Sequence, residues 1–223
     1  RWITMCVERM DALLDGGAEF AWCDASDYHR LSRAVAEFEP DAVIHLAAVA
    51  HIDRADKDPQ TTFDHSLRTL ENALDVSRAI GKPHFVYFSS STAYGPFQSP
   101  VISVMHPLSP VGIYGSLKAA GELMVTAYRD TYGMPCTIIR PQALYGSRCV
   151  SGRVIQKFIE AAFDNGVLRI EGDGSAEHDF TFIGDLVQAV VLVLKRPEAR
   201  NETLNVTAGR ARSLADLAAI VVK

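Results

Sequence analysis

The chain has 223 residues, of which 48% are hydrophobic, 22% charged and 9% aromatic. This composition excludes the disordered, fibrous and disulfide-scaffold classes, and a chain of this length can bury a substantial core. The 22 lysines and arginines against 27 aspartates and glutamates give a formal net charge of −5, which argues against a nucleic-acid-binding surface. The longest aliphatic run, residues 189–194, is too short to cross a bilayer.

Two hydrophobic patterns alternate along the chain. Short continuous apolar runs predict buried strands, and apolar residues at helical spacing predict amphipathic helices between them. In chain order the predictions are helix 5–14, strand 18–23, helix 28–38, strand 42–47, helix 61–80, strand 84–89, helix 112–132, strand 136–140, helix 154–165, strand 167–170, helix 186–195 and strand 203–206. Apolar strands that alternate with helices indicate an α/β fold whose parallel sheet is covered on both faces.

The cysteines lie far apart and form no Cys-x-x-Cys pair. This spacing is typical of reduced thiols in a cytoplasmic protein rather than of a metal site. We therefore predict a cytoplasmic protein without a metal, and with neither nucleic acid nor a membrane as its partner. His45, at the end of a predicted strand, is interpreted as a core histidine with satisfied hydrogen bonds rather than as a ligand.

Residues just after the predicted strands carry the chemical information, because ligands of open α/β sheets bind beyond the carboxyl ends of the strands. The strand at 84–89 runs into the hydroxyl-rich segment 89–95, with the sequence SSSTAYG. Such a segment suits hydrogen bonding to a substrate oxygen. The alternative is a serine- and threonine-rich turn that caps its own backbone.

Tyr114 and Lys118 begin the predicted helix 112–132 and lie four residues apart. This spacing places the two side chains on one helical face, one turn from each other. A free phenol, with a pKa near 10, is a poor base at neutral pH. A nearby ammonium stabilises the phenolate and lowers that pKa, so the pair is a candidate acid/base unit.

An ordered set of motifs accompanies this pair along nearly the whole chain. The motifs are CDASD at 23–27, PDAVIHLAA at 40–48, FVYFSSSTAYG at 85–95, PVGIYGSLK at 110–118, Arg140-Pro141, GDG at 172–174 and Asp179-Phe180. In this order they resemble the extended short-chain dehydrogenase/reductase family, and specifically its NAD-dependent epimerase/dehydratase group. The resemblance implies a Rossmann-like, doubly wound parallel sheet with a smaller, incomplete C-terminal substrate lobe.

The resemblance also implies roles for individual residues. Tyr114 would be the acid/base, Lys118 would activate it and bind the nicotinamide ribose, and Ser90 would bind the reacting sugar hydroxyl. The residues that would contact the substrate are Ser90, Ser91, Thr92, Tyr114, Ala143 and His178. The residues that would bind the cofactor are Asp24 and Ala25 at the adenine, Leu46, Ala47 and Ala48 along its length, and Tyr114 and Lys118. Two alternatives stay open: Asp24 and Asp27 cap a helix, or Ala47 and Ala48 are close-packed core.

Three departures from the family pattern narrow these expectations. The glycine-rich turn that binds the cofactor pyrophosphate is not in this sequence, and residues 211–223 resemble only the beginning of a helix of the substrate lobe, so we expect a chain truncated at both ends. No acidic residue follows Ser90, where dehydratases and decarboxylases carry one; Ser91 and Thr92 stand there, which favours epimerisation. His178 and Ala143 replace an arginine and an asparagine of the family, and a histidine is a weaker clamp for a diphosphate.

These arguments predict NAD-dependent epimerisation of a nucleotide sugar, a UDP-sugar at C4, through a transient keto intermediate. The alternatives are an NADPH-dependent reductase of a keto sugar or other carbonyl, and a cofactor-binding protein without turnover; NADP is the alternative cofactor. The predicted domains are a cofactor-binding domain at 1–145 and a substrate lobe at 146–223, from which 182–206 returns to the sheet. By resemblance, a homodimer would form through the helices at 61–80 and 112–132.

Overall fold

The structure, a computed structural model, describes residues 2–50, 52–99, 101–149, 151–164 and 166–222. The chain divides into two compact units. The sheet unit comprises Cys23–Pro141 and Val187–Val206, and the second unit comprises Arg1–Trp22, Gln142–Leu186 and Thr207–Lys223. Residues up to Trp22 thus group with the second unit, whereas the sequence placed them in the first domain.

The described residues form helices and strands, with up to three α-helices in succession between two strands. In chain order, helices α1 to α9 are Trp2–Asp15, Tyr28–Phe38, Ile52–Lys57, Pro59–Phe63, Thr69–Ala79, Gly112–Tyr132, Val154–Phe163, Ile183–Lys195 and Leu214–Val221. Strands β1 to β6 are Ala42–His45, His84–Phe88, Cys136–Pro141, Glu177–Asp179, Thr203–Val206 and Ala211–Ser213. A π-helical turn at Asp64–Arg68 joins α4 to α5, and a 3₁₀ turn at Ser91–Tyr94 follows β2. Within the described ranges, every helix falls short of the length or apolar content that a membrane span requires.

The sheet unit is built on a parallel sheet in the order β1-β2-β3-β5. Phe85 at its centre pairs with Val43 on one side and Cys136 on the other. Apolar side chains of α5, α6, β2 and β3 form the buried core, with Leu70, Phe85 and Val125 fully buried. Because all the strands run the same way, their carboxyl ends meet at one edge. The predicted α/β class with a parallel sheet is confirmed.

The side chain of Tyr87 on strand β2 packs directly against helix α6. A Cβ added at Gly121 would stand 2.1 Å from the hydroxyl oxygen of Tyr87, so a glycine is needed at this crossing. The same hydroxyl donates to the carbonyl of Lys118 at 3.4 Å. Tyr87 thus links the candidate catalytic helix to the strand that precedes the hydroxyl-rich segment.

Two predicted strands are wrong. Residues 18–23 are irregular, with Trp22 89% exposed, and residues 167–170 are irregular as well. An apolar run forms a strand only where a neighbour pairs with its backbone, and no described strand does so for either segment. The second unit instead contains β4 and β6, an antiparallel pair of three residues each, too short to show a pattern in the sequence.

Most of the other predicted elements are present with small differences. The structure reproduces helices 28–38 and 112–132 and strand 203–206 residue for residue. The predicted helix 61–80 is divided by the π-helical turn. The predicted helix 154–165 ends as α7 at Phe163, and Asn165 lies outside the described residues.

Candidate active site

Lys118 is buried on α6 at the carboxyl end of β2. Its side chain is 7% exposed, and its ammonium donates to the carbonyl of Phe88, the last residue of β2, at 2.6 Å. Burial lowers the pKa of Lys118 to about 8, and the carboxylate of Glu122 one turn later opposes that shift. The site therefore contains a poorly solvated cation whose charge changes close to neutral pH.

Tyr114 lies one turn before Lys118 on the same helix and is half-buried. The Lys118 nitrogen is 5.9 Å from the centroid of the Tyr114 ring, as the four-residue spacing predicted. Gly115 lets this first turn of α6 approach the 3₁₀ turn, because a Cβ there would stand 2.8 Å from the carbonyl oxygen of Thr92. The phenol is thus on the helical turn that packs against the hydroxyl-rich segment.

The hydroxyl-rich segment forms the 3₁₀ turn after β2. The buried Ser90 hydroxyl accepts from the backbone N–H of Thr92 at 3.2 Å and from its side-chain hydroxyl at 3.0 Å. Ser90 therefore caps its own turn, which is the structural alternative that the sequence left open. Both of these bonds use the oxygen as acceptor, so the arrangement leaves the hydroxyl proton for donation to a further oxygen.

A buried ion pair between α6 and β3 supports this turn, and sequence reasoning missed it. Glu122 and Arg140 are 4% and 6% exposed. The Arg140 guanidinium forms a bidentate pair, with Nε 2.9 Å from Oε1 and Nη2 2.5 Å from Oε2 of the carboxylate. Ser89 donates its hydroxyl to the same Oε1. The sequence did contain one signal for this ion pair, namely a glutamate four residues after Lys118 and on the same face of the helix.

Arg140 also connects the end of the 3₁₀ turn to the loop before α6. Its Nη1 donates to the Tyr94 hydroxyl at 2.6 Å and to the Val104 carbonyl at 3.1 Å. Tyr94 donates onward to Asn205 Oδ1 at 2.7 Å, and Asn205 Nδ2 donates to the Ile102 carbonyl at 2.9 Å. Side chains from β3 and β5 therefore hold both the turn and the loop that leads to Tyr114.

His45, at the end of β1, is buried and stacks against aromatic rings. Its ring stacks on Phe85 and Tyr87 at centroid distances of 6.0 and 6.3 Å. The interpretation of a satisfied histidine is wrong for one atom, because Nε2 has no hydrogen-bond partner among the described residues. Burial, helped by the Lys118 cation, lowers the pKa of His45 to about 4. The imidazole is therefore neutral beside the ammonium.

The residues predicted at the cofactor adenine lie in a turn before α2. Asp24 is exposed, and its Oδ1 accepts from the backbone N–H and the hydroxyl of Ser26 at 2.9 and 2.8 Å, which lowers the pKa of the carboxyl. Asn72 on α5 fixes this turn by donating to the carbonyls of Ala25 and Ser26. The residue that caps α2 is Asp27, not Asp24. The role of Asp24 at the adenine stays a prediction.

Leu46, Ala47 and Ala48 directly follow β1 at the carboxyl edge of the sheet. Leu46 is 64% exposed, Ala47 is exposed and Ala48 is half-buried. The alternative that Ala47 is close-packed core is therefore wrong. These groups fit a dinucleotide. Small and apolar side chains at the strand end could contact it, Asp24 offers a hydrogen-bond acceptor, and Lys118 offers a buried cation.

His178 and Ala143 belong to the second unit. His178 lies on β4 opposite Arg212 on β6, and its ring meets Phe180 edge-on with centroids 5.7 Å apart. Burial lowers the pKa of His178, which favours the neutral imidazole. Ala143 has a positive φ of 40°, and its carbonyl accepts from the backbone of Thr181 at 3.3 Å. The roles of both residues stay predictions.

Comparison with known proteins identifies relatives of this chain. UDP-glucose 4-epimerase of Mycolicibacterium smegmatis is 32% identical over 179 residues, which are 78% of this chain and 56% of that protein. dTDP-glucose 4,6-dehydratase of Xanthomonas campestris is 30% identical over 207 residues, 87% of this chain and 59% of that protein. The chain thus spans somewhat more than half the length of these curated relatives.

A solved structure and a family model agree with these relatives. The crystal structure of UDP-glucuronic acid 4-epimerase from Bacillus cereus, in complex with UDP-glucuronic acid and NAD, matches with a TM-score of 0.90 at 25% identity. The match covers 98% of this chain and 69% of that chain. The model of the NAD dependent epimerase/dehydratase family matches residues 4–207. This chain therefore belongs to the NAD dependent epimerase/dehydratase family.

Proposed function

We propose that this protein is an NAD-dependent nucleotide-sugar epimerase that inverts C4 of a UDP-sugar. The observation that carries the proposal is the Tyr114–Lys118 pair, with its buried ammonium 5.9 Å from the phenol ring at the carboxyl end of the sheet. The names of the relatives support an epimerase or a dehydratase. Ser91 and Thr92 stand where a dehydratase needs a carboxyl group, which favours the epimerase.

The residues of the sheet unit would share the proton chemistry. Tyr114, as phenolate, removes the proton of the C4 hydroxyl and later returns it. Lys118 stabilises the phenolate because a cation near the ring favours the negative form. Ser90 donates its hydroxyl proton to the reacting oxygen and keeps that oxygen oriented.

The cofactor would lie along the carboxyl edge of the sheet. Asp24 would accept from the adenosine, while Leu46, Ala47 and Ala48 would contact the dinucleotide and Lys118 would reach the nicotinamide ribose. When bound, NAD supplies the acceptor and donor of the C4 hydride. The transient keto sugar would turn before the hydride returned, and this turn would invert C4.

Two further parts of the proposal concern the state of the protein. We place it in the cytoplasm, since its four cysteines are free, as is typical of a reducing compartment. We also propose a homodimer through α6 and the α4–α5 segment. Leu123 on α6 is 70% exposed and Phe63 on α4 is 45% exposed, which suits such an interface.

The proposed function is tested with the full-length protein, NAD and separate solutions of UDP-glucose, UDP-glucuronic acid and dTDP-glucose. We expect chromatography to reveal the 4-epimer of one of the UDP-sugars without net accumulation of NADH, because the hydride is returned in each turnover. A 4-keto-6-deoxy product would establish a dehydratase instead. Consumption of NADPH in step with product would establish the reductase alternative.

A further inference from the structure

We propose that Glu122 is a positioning residue that holds the hydroxyl-rich turn in register with Tyr114 and Lys118. This inference rests on the proposed function, because it names the residue that maintains the arrangement of the proposed catalytic groups. Glu122 itself contacts neither the phenol nor the proposed reacting oxygen. It acts through Ser89, through Arg140 and through its charge near Lys118.

The first step of the argument is a two-point attachment between α6 and the end of β2. Lys118 donates to the carbonyl of Phe88 at 2.6 Å, and Glu122, one turn later, accepts from the hydroxyl of Ser89. The last residue of β2 and the residue after it are thus bound by two side chains on one face of a helix. Such a pair of bonds fixes the position and the orientation of the strand end relative to helix α6. Ser90 follows immediately, so its position is set relative to Tyr114.

The second step concerns the other end of the turn. Arg140 forms the bidentate pair with Glu122 and donates from Nη1 to the hydroxyl of Tyr94, the last residue of the 3₁₀ turn. The turn is therefore held at its two ends, by the bond from Ser89 to Glu122 and by the bond from Arg140 to Tyr94. The Glu122–Arg140 ion pair connects these two attachments. The desolvation cost of a buried pair offsets much of its attraction, so the pair is weak evidence for added stability.

The third step is electrostatic. The titratable and charged groups facing Lys118 are Tyr87 on β2, His45 on β1, and Tyr114 and Glu122 on α6, with Arg140 on β3 behind Glu122. Burial lowers the pKa of Lys118, and the neutral His45 carries no negative charge to oppose this shift. The carboxylate of Glu122 is the group that raises the pKa of Lys118. Neutralising Glu122 therefore lowers the pKa of Lys118 further. Lys118 then loses its proton at a lower pH.

The test compares Glu122→Gln with Asp130→Asn in the full-length protein. Asp130 is on the same helix and pairs with Arg129 at the surface, so its variant is a matched loss of one carboxylate. We expect Glu122→Gln to lower kcat at least about tenfold with little change in KM. We also expect the alkaline limb of its kcat profile to move to lower pH by about one unit. Asp130→Asn should leave both unchanged.

Two more variants distinguish the positioning effect of Glu122 from the effect of its charge. They also keep the proposal testable if Glu122→Gln does not fold. Glu122→Asp keeps the charge but is shorter, so we expect a lower kcat with the alkaline limb at the wild-type pH. Ser89→Ala removes one of the two bonds that hold the turn and leaves the ion pair intact, so we expect a several-fold lower kcat and a smaller loss of stability than in Glu122→Gln. Wild-type kcat in Ser89→Ala, or an unmoved limb in Glu122→Gln, would overturn the proposal.

A readout without substrate keeps this proposal distinct from the proposed function. Amide hydrogen exchange of residues 89–95 should be faster in Glu122→Gln and in Ser89→Ala than in the wild type, while Asp130→Asn should match the wild type. Unchanged protection of this segment would refute the positioning role even in an active enzyme. Absence of turnover in the wild type with changed protection would refute the proposed function and leave the positioning role standing.

Discussion

Replacing Tyr114 by phenylalanine should lower kcat by about a thousandfold while NAD binding is retained. General acid–base groups contribute about a hundred- to ten-thousandfold to the steps they serve, and this variant removes the hydroxyl but keeps the ring. The ring packs near Lys118, so the helix and the cation should remain in place. Initial rates with the UDP-sugar and calorimetric titration with NAD measure the two quantities separately.

Tyr132→Phe is the matched control for this variant. Tyr132 lies in the last turn of the same helix, is 41% exposed and packs against Arg78 and Tyr128, far along the helix from Tyr114. It should keep the wild-type kcat. If Tyr114→Phe stays within tenfold of the wild type, another group performs the proton transfer and the assignment of Tyr114 is wrong.

The largest effect on stability is expected for Arg140→Met. The substitution leaves the Glu122 carboxylate buried without its cation, and removing one partner of a buried pair costs about 3–5 kcal/mol. The bonds from Arg140 to Tyr94 and to the Val104 carbonyl are lost as well. Urea unfolding followed by circular dichroism measures the change in the free energy of unfolding.

Two further variants check the cause of this loss. The double variant Glu122→Leu/Arg140→Met should recover part of the stability, because neither member of the buried pair is then left as a charge without its partner. Arg129→Met, which breaks the surface pair with Asp130, should cost no more than about 1 kcal/mol. A loss in Arg140→Met as small as that in Arg129→Met would mean that the buried pair is not needed for the fold.

The sequence predicted the sheet unit well for a physical reason. Strands of a parallel sheet are buried on both faces, so β2 and β3 appear as continuous apolar runs. Helices α2 and α6 have clear periodicity and clear ends, since Asp27 caps the first and Gly133, with φ of 66°, ends the second. Residues 18–23 have the same apolar content as a strand, but pairing depends on a neighbour and is not visible locally.

The site was predictable only where local spacing decided it. Tyr114 and Lys118 are neighbours because of helical geometry, so their spacing was sufficient to predict that they lie together. Glu122 and Arg140 come from a helix and a strand, and charged residues are ordinarily exposed, so nothing local predicts that they meet in the core. The unpartnered Nε2 of His45 depends in the same way on the rings that tertiary packing places around it.

The central claim is that the Tyr114–Lys118 pair serves a reaction in which the C4 hydride leaves the sugar and returns to the same carbon. The direct measurement uses UDP-glucose or UDP-glucuronic acid carrying deuterium at C4, whichever the full-length protein converts, with NAD present and mass spectrometry of the product. The account predicts that the 4-epimer keeps its deuterium at C4 in ordinary water. Replacement of that deuterium by solvent hydrogen, or its accumulation in the released cofactor, would contradict the account.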